Sequence, residues 1–264
     1  MVNHVYLGRI ADIFKSQSDA LKETDEKAAL VYVNMAQILY DISRGTGVDV
    51  IDAIPADKTF LNNFELKKYS EFGQDGILEK IVSMIGLGTK TFKQIGKDNT
   101  KILAQKYEFV SKDTGDVDFM TIDVDGNDWY TWANTKNVNA RVVMIAYNGE
   151  FEIDDDKVIA FDPKFTWDQK TDYFGATLKA VYNLGRSLGY SIVCCNNTGT
   201  HAFFIRDDCV PDGLYGVNNY RLLYRSMKTN PQTESGYWPH GEGEWTNSDV
   251  LLGGSFSFKT PLKM

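Results

Sequence analysis

Short apolar segments recur through the middle of the chain and predict the strands of a buried sheet. Residues 118–124 (DFMTIDV) and 141–148 (RVVMIAYN) are nearly continuous apolar runs, as expected of parallel strands that are covered on both faces. Further strands are predicted at residues 91–95, 191–196 and 201–208. A turn-like stretch separates the last two, so we expect them to pair as an antiparallel hairpin.

Segments with helical periodicity lie between these strands. The apolar residues of 77–85 and of 175–190 recur at helical spacing, and these helices are expected to end near Gly86 and Gly189. Residues 98–110 are also predicted to be helical. The alternation of strands and helices predicts a doubly wound α/β fold, with a mostly parallel sheet and an antiparallel pair at its end.

The two ends of the chain differ from this core, so we divide the chain into three parts. Residues 1–68 are predicted to form a helical arm and a connector, and residues 69–210 form the α/β domain. Residues 211–264 form an irregular C-terminal extension that is rich in aromatic residues. The arm is expected to cap the core or to mediate oligomerisation. The extension is expected to pack on its own domain or on a neighbouring subunit.

Composition and charge narrow the classes of function. The formal net charge is −8 and the isoelectric point is about 5.0, which argues against a broad surface for nucleic acid or anionic membranes. No apolar run approaches the ~20 residues of a membrane span, and the first residues do not resemble a secretory signal. The cysteines are few and odd in number, which favours free thiols in a reducing compartment. We therefore expect a cytoplasmic protein with neither nucleic-acid nor membrane partners.

The segment TIDVDGNDWYTW, residues 121–132, holds the densest set of candidate functional residues. Asp123, Asp125 and Asp128 follow an apolar strand and surround a Gly-Asn turn. Carboxylates this close can hold a metal ion, polarise a hydroxyl group, or bond to the backbone of their own turn. The neighbouring aromatic residues either form a platform for a ligand or, as we favour, pack beneath the sheet edge. They are Trp129, Tyr130 and Trp132.

Segments of the α/β part occur in a characteristic order. They are YSEFGQDGILEKI, DFMTIDVDGNDWYTW, RVVMIAYN, YFGATLKAVYNLGRSLGYSIVCCN and AFFIRDD. Together they resemble the FkbM-like branch of S-adenosylmethionine-dependent methyltransferases, over roughly residues 69–208. The resemblance implies a Rossmann-like sheet that binds the methyl donor over its carboxyl edge and transfers the methyl group to an oxygen, often on a sugar.

The resemblance also implies roles for residues at that edge. The residues expected at the methyl donor are Gln94, Gly96, Asp98 and Asp123. Asp125 and Asp128 are the candidate catalytic carboxylates, one of which would act as general base toward a hydroxyl group. The candidate Mg²⁺ ligands are Asp123, Asp125 and Asp128. Residues that the resemblance places near the donor, and that the start of a helix explains equally well, are Ser70, Gln74 and Asp75.

Several positions depart from the family pattern. Gln94 stands where an acidic residue is expected, and Ala146 stands where the family often has Glu. Lys97, Asp98 and Asn99 replace most of a glycine-rich turn, in which glycine allows the backbone to approach the ligand closely. These changes weaken the expected donor site. The isolated histidines, such as His201, favour surface or hydrogen-bonded roles over a metal site; the others are His4 and His240.

The chain is also too short for the complete family fold. Ile95 and Phe119 are only 24 positions apart (119 − 95). Two additional strands with three crossovers need roughly 40 residues. We therefore expect the first strand to run through one helix directly to the strand at residues 118–124, with the outer strands on one side of the sheet missing.

Two functions follow for this reduced fold. The first, which we favour, is a degenerate methyltransferase-like domain without a cofactor. It would serve as a binding or structural module, as a homo-oligomer or as a subunit of a larger assembly. The second is an active O-methyltransferase that uses S-adenosylmethionine and can use Mg²⁺. The retained segment at residues 121–132 favours the second function, whereas the shortened donor half favours the first.

Overall fold

The computed structural model describes most of the predicted α/β domain and much of the C-terminal extension. The described residues are 59–97, 101–227, 229–230, 232–233 and 236–253. The predicted N-terminal arm and connector lie outside them up to residue 58, and so does Asp98. The described residues all fall within one compact unit of the chain, residues 58–264.

The described strands and helices follow one another in an α/β order. The strands are β1 (Thr91–Gly96), β2 (Val110–Ser111), β3 (Gly115–Asp123), β4 (Val138–Ala146), β5 (Val158–Ile159), β6 (Tyr190–Cys195), β7 (His201–Arg206) and β8 (Trp245–Thr246). The α-helices are α1 (Gln74–Ile85), α2 (Lys101–Tyr107), α3 (Asp128–Asn134), α4 (Leu178–Ser187), α5 (Tyr220–Leu223) and α6 (Ser248–Gly253). None of the helices in this part of the chain combines the length and the apolar character needed to cross a membrane.

A six-stranded sheet in the order β2-β1-β3-β4-β7-β6 forms the centre of the fold. Strands β1 to β4 are parallel to one another, whereas β7 runs antiparallel to both β4 and β6. The predicted α/β fold, with a mostly parallel sheet and an antiparallel pair at its end, is therefore confirmed. Strands β5 and β8 form a separate antiparallel pair.

The aromatic residues of α3 belong to the core. Trp129, Tyr130 and Trp132 are 2%, 2% and 3% exposed. The indole N–H of Trp129 donates to the carbonyl oxygen of Ala180, and the Tyr130 hydroxyl donates to that of Ile159. Their polar atoms are therefore satisfied inside the protein, and they pack beneath the sheet edge rather than forming a platform for a ligand.

The connection between β1 and β3 differs from the prediction. Helix α2 is the crossover, but the short strand β2 follows it before β3 begins. Val110, which was predicted to be helical, pairs with Thr91 at the start of β1. Its N–H donates to the carbonyl oxygen of Lys90, and the N–H of Lys112 donates to that of Phe92, which satisfies backbone groups on both segments. In the described residues the predicted single helical crossover is therefore present, and the two-residue strand β2, which extends the ladder at this edge, is the part that was not predicted.

The described part of the C-terminal extension packs on the α/β domain. The Trp245 ring contacts Phe151 and Tyr173 edge-on, with ring centroids 5.0 and 5.1 Å apart. The backbone N–H of Ser248, at the start of α6, donates to the Asp156 carboxylate. The extension is thus less irregular than predicted, because α6 has only six residues and is too short to give a clear helical period.

The strand register brings four positions into one row at the carboxyl edge of the parallel strands. Gly96 at the end of β1 pairs with Asp123 at the end of β3, and Ala146 at the end of β4 pairs with His201 at the start of β7. The β3–β4 ladder runs up to the preceding position, so Asp123 and Ala146 are adjacent as well. Because β7 is antiparallel, its first residue lies at this edge. We call Gly96, Asp123, Ala146 and His201 the edge row.

Gly96 is required by the close approach of β1 and β3. Its φ is +89°, and an added Cβ would lie 1.8 Å from the carbonyl oxygen of Asp123. We therefore expect Gly96→Ala to lower the free energy of unfolding by about 3 kcal/mol or more, since a left-handed dihedral alone costs about 1–2 kcal/mol and the backbone clash adds to it. Urea denaturation followed by tryptophan fluorescence measures this loss.

Gly189 provides the matched control for this substitution. It has φ +82°, but nothing lies within 4 Å of an added Cβ. Gly189→Ala should therefore cost only the dihedral strain, about 1–2 kcal/mol. Equal losses in the two variants would show that the contact between β1 and β3 is looser than described.

Candidate functional site

An open cleft with a volume of about 210 Å³ lies at the carboxyl edge of the sheet. Its lining includes three members of the edge row: Asp123, Ala146 and His201. Charged residues that follow β1 and β3 also line it: Lys97, Asp125 and Asp128. Aromatic residues from the loop after β5 and from the C-terminal extension line it too: Trp167, Phe174 and Trp238, beside Phe72 and Tyr147. The cleft therefore combines a charged edge with aromatic surfaces from two distant parts of the chain.

Asp123 and His201 are joined by a buried hydrogen bond. His201 Nε2 lies 3.2 Å from Asp123 Oδ2, and the two side chains are only 3% and 8% exposed. Their strands are separated in the sheet by β4, so their backbones are two strand spacings apart, roughly 9–10 Å. Ala146 lies between them in the edge row. Neighbours in register point to the same face of a sheet, so the small methyl group of Ala146 leaves the space in which the two side chains meet.

Asn196 fixes the turn from which β7 begins. Its side-chain oxygen accepts hydrogen bonds from the N–H groups of Thr200 and His201, at 3.0 and 2.8 Å. Its amide nitrogen donates to Thr200 Oγ1 at 2.8 Å, and that hydroxyl lies 2.9 Å from His201 Nδ1. The turn predicted at residues 197–200 therefore holds His201 at the edge through both its backbone and its ring.

Asp128 closes the turn that follows β3. Its two carboxylate oxygens accept the N–H groups of Val124 and Gly126, both at 2.9 Å. The pKa of Asp128 is raised to about 7, mainly by burial and also by the nearby charge of Asp123, although its backbone hydrogen bonds act in the opposite direction. Burial outweighs the hydrogen bonds here. Asp128 thus serves its own turn, as the alternative interpretation of this segment expects.

Asp125 turns toward β1. It has a left-handed backbone, with φ +55°, and its Oδ1 accepts a hydrogen bond from Lys97 Nζ at 2.7 Å. Partial burial lowers the pKa of Lys97, but the hydrogen bond to Asp125 and the charge of Asp123 raise it more. Lys97, Asp123 and Asp125 therefore form one electrostatic group at the edge of the cleft.

The residues expected at a methyl donor are used mainly to pack the edge. Gly96 contacts the backbone of Asp123, and the N–H of Lys97 donates to the same carbonyl oxygen at 2.8 Å. The Gln94 amide nitrogen lies 3.3 Å from the Gly96 carbonyl oxygen, to which it donates. Asp98 lies outside the described residues. Glycine is thus required here by the protein's own backbone.

The three aspartates do not converge on a common point. Asp123 faces His201, Asp125 faces Lys97, and Asp128 accepts backbone N–H groups. In the described part of the chain, no group of three or more His, Cys, Asp or Glu side chains is arranged to hold a metal ion. The three candidate Mg²⁺ ligands therefore have three different partners in the described structure, and the Mg²⁺ site stays a prediction.

The residues before α1 divide into two roles. Asp75 Oδ2 accepts the N–H groups of Lys68, Tyr69 and Ser70 at 2.8, 2.6 and 2.8 Å, so it stabilises the turn that leads into the helix. Gln74 instead reaches the site, where its amide nitrogen lies 3.2 Å from His201 Nδ1. Of these helix-start residues, Gln74 is the one that bonds to the edge row.

Comparison with known proteins adds no relative to this picture. No protein-family model matches the chain, and no match was found among curated proteins or among solved structures.

Sequence reasoning missed the role of His201 and the aromatic lining from Trp167 and Trp238. The position of His201 at the start of the strand that follows a hairpin turn was the available signal, since an antiparallel end strand begins at the carboxyl edge. No comparable signal marked the two tryptophans, because the folding of the extension brings them together.

The raised pKa of Asp128 predicts how stability changes with pH. A carboxyl group whose pKa rises on folding from 3.8 to about 7 binds more protons in the folded state, so the free energy of unfolding should fall as pH rises from about 4 to 7. Asp128→Asn removes this charge and should flatten that part of the profile. Urea denaturation at pH 5, 6, 7 and 8 measures the slope.

Asp128→Ala separates the charge from the hydrogen bonds. It leaves both turn N–H groups without their acceptor, so it should cost about 2–4 kcal/mol at pH 5, and this cost should shrink as pH rises, because only the wild type pays for ionising Asp128. Asp128→Asn keeps one acceptor and should cost less at pH 5. Residual pH dependence is expected from Glu65 and Glu150, whose pKa values burial also raises to about 7. A profile that is unchanged in Asp128→Asn would contradict the assignment.

Proposed function

We propose that the chain is a methyltransferase-like binding domain that takes a small hydroxyl-bearing ligand in the carboxyl-edge cleft and does not transfer methyl groups. One observation carries the proposal: a buried carboxylate, Asp123, meets aromatic side chains in a cleft at the edge where open α/β sheets bind their ligands. The resemblance over residues 69–208 and the mostly parallel sheet support the Rossmann-like part of the proposal.

The lining of the cleft suits a neutral molecule that has both apolar and hydroxyl faces. Trp167 packs against Phe174 and Trp238, with ring centroids 4.2 and 5.4 Å apart. Each indole N–H donates to an oxygen of its own chain, so the rings offer apolar surface to a ligand. Asp123 and Lys97 provide charge for hydrogen bonds to hydroxyl groups.

Features of the same edge argue against a methyl donor. The cleft volume of about 210 Å³ is small, because pockets that enclose drug-sized ligands measure roughly 300–1,000 Å³. The outer strands missing from the family pattern leave only the two-residue β2 beside β1 in the described sheet. Gly96 packs on the backbone of Asp123 and leaves no gap there. Together these features support binding without methyl transfer.

A second function, an active S-adenosylmethionine-dependent O-methyltransferase, is favoured by one observation. Asp123 is 6% exposed and is oriented by His201 beside the cleft. A carboxylate in that position is what a general base toward a bound hydroxyl group requires. In this function the hydroxyl-bearing molecule is the methyl acceptor, and the edge beside β1 would have to open to admit the donor.

Ligand titrations distinguish the two functions. We expect glucose, mannose or myo-inositol at millimolar concentration to change the fluorescence of the cleft tryptophans. We expect no one-to-one calorimetric binding of S-adenosylmethionine or S-adenosylhomocysteine at micromolar concentration. Asp123→Asn should weaken the affinity for the sugar or polyol by about tenfold or more, since hydrogen bonds to charged groups contribute about 1.5–3 kcal/mol.

The control variant is Asp212→Asn, because Asp212 is exposed and does not line the cleft. It should leave every titration unchanged. Stoichiometric micromolar binding of S-adenosylmethionine would reject the binding-only proposal in favour of the methyltransferase. No response to any hydroxyl-bearing probe would reject ligand binding of this class.

A further inference from the structure

A chain of hydrogen bonds, part-buried at its first step and buried at the next two, leads from the backbone of residue 72 to the carboxylate in the cleft. The Phe72 N–H donates to Gln74 Oε1 at 3.0 Å, and Gln74 Nε2 lies 3.2 Å from His201 Nδ1. His201 Nε2 lies 3.2 Å from Asp123 Oδ2. Gln74, His201 and Asp123 are 0%, 3% and 6% exposed, so water has little access to these contacts.

The first bond determines the direction of all the others. The Phe72 N–H can only donate, so the atom it contacts is the side-chain oxygen of Gln74. The NH₂ group of Gln74 therefore faces His201 Nδ1, which must accept. In a neutral imidazole the other nitrogen then carries the proton, so Nε2–H donates to the Asp123 carboxylate.

Thr200 is consistent with the same direction. Its Oγ1 accepts a hydrogen bond from Asn196 Nδ2 at 2.8 Å, so its own hydrogen remains to be donated, either to Thr198 Oγ1 at 3.1 Å or to His201 Nδ1. The Thr200 hydroxyl lies 2.9 Å from His201 Nδ1 and can donate to it beside Gln74. An Nδ1–H tautomer would instead place the Gln74 NH₂ group against the Nδ1–H donor. It would also leave Asp123 Oδ2 facing the lone pair of His201 Nε2.

We propose that Gln74 and His201 are positioning residues for the cleft, which hold the Asp123 carboxylate in one orientation by keeping His201 as its Nε2–H tautomer. Their role in ligand binding rests on the proposed function, whereas the order of the hydrogen bonds does not. Lys97 and Asp128 are the charged groups that act on Asp123 from the adjacent turns. Ala146 completes the arrangement by leaving room for the His201 ring to reach Asp123.

Nitrogen-15 NMR of the full chain tests the proposal without any ligand. At pH 8, His201 should show a protonated Nε2 and an unprotonated, hydrogen-bonded Nδ1. The chain has only three histidines, so His4→Gln and His240→Gln assign the signals. A His201 ring with its proton on Nδ1 would overturn the proposal.

Gln74→Glu replaces the donor that faces His201 Nδ1 with an acceptor and keeps the shape of the side chain. One carboxylate oxygen can still accept the Phe72 N–H, and the other now faces Nδ1 as an acceptor. Since Asp123 is an acceptor on the opposite side, we expect His201 to carry protons on both nitrogens at pH 8. A ring that stays singly protonated on Nε2 in a folded variant would contradict the role of Gln74.

Gln74→Met keeps the proposal testable if Gln74→Glu does not fold. It removes the amide donor with little change of volume, so the Nδ1 signal should move toward the value of a ring nitrogen with a weaker hydrogen bond. An unchanged signal would overturn the proposal. The same variant should weaken the affinity for the sugar or polyol by about fivefold, which corresponds to about 1 kcal/mol of binding free energy, because Asp123 is then less firmly oriented.

The two readouts separate the two hypotheses. An Nδ1–H tautomer in the wild type defeats the positioning role even if sugars bind. The expected tautomer with no binding of any hydroxyl-bearing probe defeats the proposed function and, with it, the role of Gln74 and His201 in binding. Full affinity in a Gln74→Met variant with an altered tautomer defeats the positioning role alone.

Discussion

The register of the β4–β7 pair is the constraint on which the candidate site depends. It places His201, the first residue of an antiparallel strand, in the same row as the last residues of the parallel strands. A shift by one residue would turn His201 to the other face of the sheet. The turn held by Asn196 prevents such a shift, because it bonds to the backbone of His201 itself. The contact between His201 and Asp123 is therefore a consequence of how the hairpin is closed.

Burial and nearby polar or charged groups shift the pKa values along this edge in opposite directions, and the larger effect differs from residue to residue. Burial dominates at Asp128, whose pKa rises to about 7 despite two backbone hydrogen bonds. Ion pairing dominates at Lys97, whose pKa rises although partial burial acts to lower it. Asp123 has a different partner, since its carboxylate oxygen lies 3.2 Å from a ring nitrogen of the buried His201. The edge thus keeps the Asp123 carboxylate in the cleft beside the charged group of Lys97.

Ala146 links the sequence pattern to this arrangement. The resemblance to FkbM-like methyltransferases marks Ala146 as a loss, because a methyl group cannot bind a hydroxyl group or a cation. In the sheet the same methyl group lies between Asp123 and His201 and permits their contact. A position that counts against methyl transfer is therefore also one that supports a different use of the cleft.

Local patterns were sufficient to predict the main strands and their order along the chain, since buried parallel strands are continuous apolar runs. They were insufficient for β2, because a strand of two residues is too short to show a hydrophobic pattern. The Asp123–His201 contact joins residues 78 positions apart, and only the strand register reveals it. Trp167 and Trp238 meet because the C-terminal extension folds back along the domain. Such contacts depend on packing of the whole fold, which a single sequence does not encode in any local window.

A double-mutant cycle between Asp123 and His201 tests this account most directly. Asp123→Ala, His201→Ala and the double variant should give a coupling free energy of about 1–3 kcal/mol at pH 8, as expected for a buried hydrogen-bonded pair. In an Ala146→Leu background, where the larger side chain occupies the space between them, the coupling should fall below about 0.5 kcal/mol. A coupling near zero in the wild-type background, or one that Ala146→Leu leaves intact, would contradict the central role of the contact over Ala146.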